Sequence, residues 1–245
     1  MRRGFHPGEG GDVKAVVLCA GVGERLRPIT DKVPKPLIPV GKKPLLAWTL
    51  ERLSACGVTE VLINLHHLPH KITDFLGDGS AFSLSVSYFF EEELLGTAGA
   101  LDGMRGHLRE PFFVVYGDVF LDEFPLRELP KILRERGGLG VIVVQETDRP
   151  QDCDIVEVDH EGHVVAFHPA PGDFRFGKWG NAAVYFLSPR ILNYLPTGAK
   201  WDFVRDLFPR ALSAGETLWA HPSPVPLPDI GTPERLATLR ERMEG

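Results

Sequence analysis

Residues Leu18 to Val40 read L-C-A-G-V-G-E-R-L-R-P-I-T-D-K-V-P-K-P-L-I-P-V. The apolar run Val13–Leu18 that leads into them has the composition of a buried strand. Gly21 and Gly23 let the chain turn tightly at its end and bring backbone close to a ligand. Arg25, Lys32 and Lys35 add positive charge, while Pro28, Pro34, Pro36 and Pro39 oppose a helix and predict an extended loop. A glycine turn followed by fixed cations suits a nucleoside triphosphate. Two commoner phosphate loops are excluded: Leu26 stands where the dinucleotide fingerprint needs its third glycine, and G-x-x-x-x-G-K-[ST] is absent.

Strands and helices alternate outward from this stretch. Leu45–Ala55 carries Leu46, Leu50 and Leu53 on one helical face, with Gly57 placed to end it. Glu60–Leu65, Leu84–Phe89 and Phe112–Tyr116 read as strands, and Pro69–Leu76 and Thr97–Arg105 as helices. Such alternation predicts a mostly parallel sheet with helices on both faces. Ligand sites in such sheets lie beyond the carboxyl ends of the strands, which puts Gly21–Arg25 and Gly117–Asp118 on one edge. Past residue 138 the pattern is less regular. Leu126–Arg136 reads as a helix and Gly138–Gln145 as a strand. Ile155–Val158 with His163–Phe167 forms a hairpin, Asn181–Leu187 another strand and Trp201–Leu212 an amphipathic helix. Thr232 caps a last helix, Thr232–Met243, with Pro233 at its first position. The expected organisation is a disordered tail over residues 1–12, a half over 13–137 and a half over 138–245, within one domain.

Three further motifs carry chemistry. Asp118, reached through Gly117 after the apolar strand, and Asp229 in P-D-I-G-T-P-E are candidate ligands for a phosphate-bridging Mg²⁺. The run Glu91-Glu92-Glu93-Leu94-Leu95-Gly96-Thr97-Ala98-Gly99-Ala100 follows a strand and opens a helix. A carboxylate there could accept two N–H groups from guanine, or one from uracil or thymine. Each of these motifs alone is as well explained by a turn or a solvated acidic face; together with the glycine loop they are not.

Composition narrows the remaining classes. Apolar and charged fractions of 43% and 24% are those of a globular protein, and a net charge of -6 argues against nucleic acid or an anionic membrane as partner. No apolar run approaches the roughly 18 residues of a membrane span. The three cysteines, Cys19, Cys56 and Cys153, form no metal or redox pattern, which makes a reducing cytoplasm the expected compartment.

Together the motifs A-G-x-G-x-R-L-x-P-x-T, P-K-P-L-x-P-V, L-G-T-A-G-A-L, G-D, N-A-x-V-Y-x-L-S-P and D-I-G-T-P-E-R resemble the sugar-1-phosphate nucleotidyltransferases, or NDP-sugar pyrophosphorylases. The resemblance runs from Val13 to Arg235, and the ending looks most like mannose- or heptose-1-phosphate guanylyltransferases. It implies a Rossmann-like α/β core with a small β-rich sugar-binding lobe. It also implies an Mg²⁺-dependent reaction of an NTP, GTP favoured, with a sugar 1-phosphate. By position, Arg25, Lys35 and Asp118 would be catalytic. Ala20, Gly21, Gly23, Glu91, Gly96 and Thr97 would bind the nucleotide, and Asp118 and Asp229 the metal. Asp154 and Asn181 would face the sugar. With no hexapeptide repeat in the sequence, repeat-driven trimerisation is not expected and a homodimer stays open.

The sugar side departs from the family. Asp154 stands where glycine is usual, Asn181-Ala182-Ala183 replaces Asn-Ala-Gly, and Cys19 replaces alanine. In Phe167-His168-Pro169-Ala170-Pro171 the usual Glu and phosphate-binding Lys become Pro169 and Ala170. Arg175, Lys178 and His168 are candidate substitutes, though each singly reads better as a solvated loop residue. The alternatives are a uridylyl- or thymidylyltransferase, an enzyme acting on a non-sugar phosphate, and a catalytically impaired NDP-sugar-binding regulatory subunit. The histidines His66, His67 and His70 read as surface residues before a helix.

Overall fold

The computed structural model describes residues 13–121, 123–171 and 173–244; the expected tail, 1–12, lies outside them. In chain order the elements are β1 (Val13–Leu18), β2 (Pro39–Val40), β3 (Lys43–Pro44), α1 (Leu45–Ala55), β4 (Val58–Leu65), α2 (Pro69–Leu76), β5 (Ser85–Phe90), α3 (Gly96–Gly99), β6 (Phe112–Tyr116), α4 (Glu128–Arg136), β7 (Gly140–Glu146), β8 (Ile155–Val158), β9 (Val164–His168), β10 (Trp179–Leu187), α5 (Phe208–Ser213), β11 (Leu218–Pro222) and α6 (Pro233–Glu244). This is the expected α/β class.

The chain divides into two compact units. The first comprises residues 13–93, 115–123 and 228–244; the second is Leu94–Val114 with Phe124–Leu227. Residues 94–137 therefore fall largely with the second unit and the last helix with the first, unlike a division near residue 138.

In the first unit β1 pairs in parallel with β4, and β4 with β5. Leu18 lies opposite Asn64, and Asn64 opposite Phe89, so three strands end at one edge and release the loops at Cys19, His66 and Glu91 there. One buried cluster of this unit is Leu26, Ile38, Val40, Leu45, Phe120, Ile230, Leu236 and Leu239. Its members sit next to the predicted site residues: Leu26 follows Arg25, Phe120 lies two residues past Asp118, and Ile230 follows Asp229. Burying each such side chain contributes roughly 1.5–3 kcal/mol, and the same packing holds its charged neighbours in place. Helix α6 joins the cluster through Leu236 and Leu239. It begins as predicted, with the Thr232 hydroxyl accepting from Arg235 N at 3.3 Å.

In the second unit β10 runs antiparallel to β7 and β8, and β8 antiparallel to β9, the predicted hairpin. Strand β11, absent from the sequence reading, pairs in parallel with β7. Its five residues, L-W-A-H-P, offer too short a pattern to register.

Three local expectations are corrected. The proline-rich loop is not extended; it winds through 3-10 turns at Glu24–Leu26, Ile29–Asp31 and Lys35–Leu37. Proline's fixed φ suits a 3-10 turn as well as an extended chain. The helix expected over Thr97–Arg105 is only α3 plus a 3-10 turn at Asp102–Met104, because Gly96, Gly99, Gly103 and Gly106 make a continuous helix costly. The helix expected over Trp201–Leu212 starts as a π turn, Phe203–Leu207, and becomes regular only at Phe208. Pro209 has no N–H to continue an unbroken ladder.

Candidate active site

The glycine loop is braced from behind. Gly23 has φ +70°, and a Cβ on it would stand 2.8 Å from Thr30 Cγ2. The Thr30 hydroxyl donates to Gly23 O at 2.9 Å, and Thr30 O lies 2.7 Å from His67 Nε2. Thr30 is buried, while Gly21 is open, with no atom within 4 Å of where a Cβ would stand. The turn is thus fixed on its inner side and bare at Gly21. Ala20, just before it, is buried. Arg25 is exposed and, among the described residues, pairs with no carboxylate.

Lys35 Nζ bonds Asp118 Oδ2 directly, with side chains 14% and 25% exposed. That pair is therefore largely shielded from water and salt. Asp118 is positioned from both sides: Gly117 N donates to Leu18 O at 2.9 Å, and Ile230 N donates to Asp118 O at 3.0 Å. An antiparallel bridge between Val119 and Asp229 brings the second aspartate onto adjoining backbone. The Asp229 carboxylate accepts from Arg235 Nη1 at 2.9 and 2.7 Å, and from Gly231 N at 2.6 Å. Arg25 reaches the same place, its Nη2 3.1 Å from where a Cβ on Gly231 would stand. Cys19 lies behind this group. Burial, and next the Asp118 charge, push its thiol far above the usual range, so it stays protonated.

Glu91 sits at the same edge, bound into a chain of hydrogen bonds. Its Oε1 accepts from Asn64 Nδ2 at 2.8 Å, and Asn64 Oδ1 accepts from Cys19 N at 2.8 Å. His66 Nδ1 meets Glu91 O at 2.9 Å. Two of the three clustered histidines thus serve as braces, His66 for Glu91 and His67 for the glycine loop.

The remaining predicted residues belong to the second unit. Gly96 (φ +79°) packs so closely on the Trp201 carbonyl that no Cβ fits, and Ala98 N and Gly99 N donate to that same oxygen at 2.9 and 3.0 Å. Thr97 Oγ1 donates to Asp202 Oδ2 at 2.6 Å. Asp154 Oδ1 accepts from Ala170 N at 2.8 Å, and Asp154 O from Asn181 N at 2.9 Å. Burial raises the Asp154 pKa and the Asp202 charge adds to the rise, against the Ala170 N–H and Arg205. Asn181 spends both ends of its amide within its own strand: Nδ2 donates to Tyr185 Oη at 2.9 Å and Oδ1 accepts from Ala183 N at 3.2 Å. It spans the irregularity where the β10–β7 register shifts.

Residues 14–244 match the family described as Nucleotidyl transferase. The chain belongs to that family. It is 31% identical, over 89% of its length, to UTP--glucose-1-phosphate uridylyltransferase of Synechocystis sp., and 34% identical, over 92%, to mannose-1-phosphate guanylyltransferase 1 of Arabidopsis thaliana. It spans 60% and 63% of those two proteins. Among solved structures, HddC from Yersinia pseudotuberculosis superposes with a TM-score of 0.78 at 25% identity, covering 94% of this chain and 99% of that one.

Asp118 and Asp229 stand on adjoining backbone, and carboxylates are the ligands a hard divalent cation takes; here they are engaged by Lys35 and Arg235. Mg²⁺ usually keeps several waters and takes one or two protein carboxylates beside substrate phosphates, a number these two aspartates could supply. Three residues that brace the predicted ones, Thr30, Asn64 and Asp202, were not among the candidates read from the sequence. Asn64 and Thr30 are two of the few buried polar side chains. A lone asparagine in an otherwise apolar strand end, V-L-I-N-L, was the available signal for the first. Asp202 had none, because the π turn that it caps is not written in a periodicity.

Proposed function

We propose that this chain transfers a nucleotidyl group from an NTP, with GTP preferred, to a sugar 1-phosphate, releasing pyrophosphate. The observation that carries this is the Lys35–Asp118 pair with Asp229 on adjoining backbone, beside a braced glycine loop. A phosphate oxygen of the sugar 1-phosphate attacks the α-phosphorus. The bond from that phosphorus to the β-phosphate's bridging oxygen breaks in line, and pyrophosphate leaves with the electron pair. The nucleophile is already an anion, so no strong base is needed. Arg25 grips phosphate oxygens through two donors, and Lys35 places a point charge on them, both fixed before the reaction. Ala20, Gly21 and Gly23 give the phosphates a bare backbone surface. Gly96 and Thr97 take the ribose and base, and Glu91 reads the base. Asp154 and Asn181 face the sugar. Asp118 and Asp229 would hold Mg²⁺, which when bound neutralises charge on the phosphates.

HddC of Yersinia pseudotuberculosis has been solved in complex with GMP-PN, which supports guanine. One observation favours a second reading: Glu91 Oε1 already accepts an N–H from Asn64, which suits a base offering a single N–H, uracil or thymine. Pyrophosphate release, measured for GTP, UTP and dTTP against mannose, glucose and heptose 1-phosphates, tests both. Turnover with GTP at least tenfold above the others supports the first reading, and a UTP or dTTP maximum the second. Nucleotide binding with no turnover on any sugar would make the chain a binding subunit.

A further inference from the structure

We infer that Arg205 binds the phosphate of the acceptor. The inference rests on the sugar 1-phosphate reading above. Such an acceptor is a dianion and needs a fixed cation near the residues that face its sugar. The three cations suggested by the sequence are committed elsewhere. Arg175 Nε bonds Asp173 at 2.8 Å in an 80% exposed side chain, and Lys178 is bonded to Glu146. His168 Nε2 bonds Glu157 at 2.8 Å, and its ring stacks on Phe176 with centroids 3.6 Å apart.

Arg205 differs from all three. Its side chain is exposed, and among the described residues its guanidinium meets no carboxylate at ion-pair distance. Among the described residues its guanidinium makes one hydrogen bond, a long one from Nη2 to Ala170 O at 3.5 Å. Exchanging that contact for a phosphate gives up little and gains charge-assisted bonds in a fork geometry. The guanidinium nonetheless has a defined base. Arg205 lies in the π turn Phe203–Leu207, and Asp202 Oδ1 accepts from both Val204 N (2.8 Å) and Arg205 N (3.3 Å). The other oxygen of Asp202 accepts the Thr97 hydroxyl. Ala170 itself is held by Asp154 through its N–H and touched by Arg205 through its carbonyl. One short network therefore joins Thr97, Asp202, Arg205, Ala170 and Asp154. Ala170 stands where a lysine is usual, and Arg205 brings a guanidinium to that residue from a different element.

The test is steady-state kinetics with whichever NTP and sugar 1-phosphate the wild type uses. Arg205→Ala should raise KM for the sugar 1-phosphate roughly 10- to 100-fold while KM for the NTP stays within about twofold. Arg205→Lys should recover part of the loss, and adding Ala170→Lys to Arg205→Ala should recover more. An unchanged sugar 1-phosphate KM, or an equal rise in both KM values, overturns the inference. If the wild type turns over no pair, the proposed reaction fails and calorimetry decides this point alone. Mannose 1-phosphate and glucose 1-phosphate are titrated against the wild type and Arg205→Gln. Binding that the variant loses, with free mannose and glucose inert, supports it; absence of binding to the wild type, or equal binding to both proteins, overturns it.

Discussion

Two groups of predicted site residues hold their charges differently. At Asp118 and Asp229, side chain answers side chain: Lys35 holds Asp118, and Arg235 holds Asp229. Around Ala170, side chains answer backbone. Asp154 takes the N–H of Ala170, Arg205 touches its carbonyl, and Asp202 ties down the N–H groups of Val204 and Arg205. A site built from side-chain pairs depends strictly on residue type. A site anchored on main chain tolerates a change of residue as long as the backbone path survives. At Ala170 the groups held are its N–H and carbonyl, which any residue other than proline would supply.

The sharpest way to break the comparison is to remove one member of a side-chain pair. Asp118→Asn and Lys35→Ala should each lower pyrophosphate release by about 10²–10³-fold or more, the scale of losing a fixed electrostatic contact to the reacting phosphate. Either variant turning over like the wild type would show that the pair is structural only. Both also leave a partly buried charge unpaired, so unfolding should be followed in parallel.

That asymmetry also sets what the sequence could reveal. Gly21, Gly23, Arg25, Lys35, Asp118 and Asp229 were legible because each chemical role needs a particular side chain beside a strand end. The parallel strands and α1, α2 and α6 were legible from apolar runs, caps and glycine stops. The 3-10 path of the proline loop and the π turn before Phe208 were not, since both are decided by which carbonyl a given N–H finds. Nor was Glu91's link through Asn64 to Cys19 N, which exists only because β1, β4 and β5 end level with one another. Arg205 escaped notice for the same reason: its placement depends on Asp202 capping a turn.

The next effect in size tests the bracing of the glycine loop. Thr30→Val keeps the shape that packs on Gly23 but removes the hydroxyl bound to Gly23 O. Gly23 O keeps the Leu26 N–H at 2.9 Å, so the loss is one hydrogen bond, about 0.5–1.5 kcal/mol, measurable by urea unfolding. The loop should also lose its set geometry, raising KM for the NTP about tenfold with KM for the sugar 1-phosphate unaffected. Loss of stability with unchanged NTP affinity would mean that His67 and the 3-10 turns hold the loop without Thr30.

A smaller and opposite effect is expected in the second unit. Ala183 has φ +56°, a left-handed conformation that costs an L-residue roughly 1–2 kcal/mol. Glycine escapes that cost but loses about 0.5–1 kcal/mol of extra chain entropy. Ala183→Gly should therefore stabilise the protein by about 0.5–1 kcal/mol, raising Tm by about 1–4 °C. A lower Tm would mean that the Ala183 methyl contributes packing that exceeds the strain.

The smallest effect concerns the charge of Asp154. Burial makes its carboxyl harder to ionise in the folded chain than in the unfolded one, and the nearby Asp202 adds to this. Between the ordinary carboxylate pKa and the raised folded value, the native state holds more protons than the unfolded state. Stability then falls as pH rises through that window, and the loss persists at neutral pH. Asparagine keeps an oxygen for the Ala170 N–H but cannot ionise. Asp154→Asn should match the wild type in acid, below the ordinary carboxylate pKa, and exceed it at neutral pH by less than about 1 kcal/mol. Thermal unfolding across that range reads the difference. Parallel curves would mean that Arg205 and the Ala170 N–H already compensate the buried charge. In that case Asp154, like Asp118 and Asp229, would have its charge balanced by a basic side chain, and the contrast between the two groups would narrow to Ala170 alone.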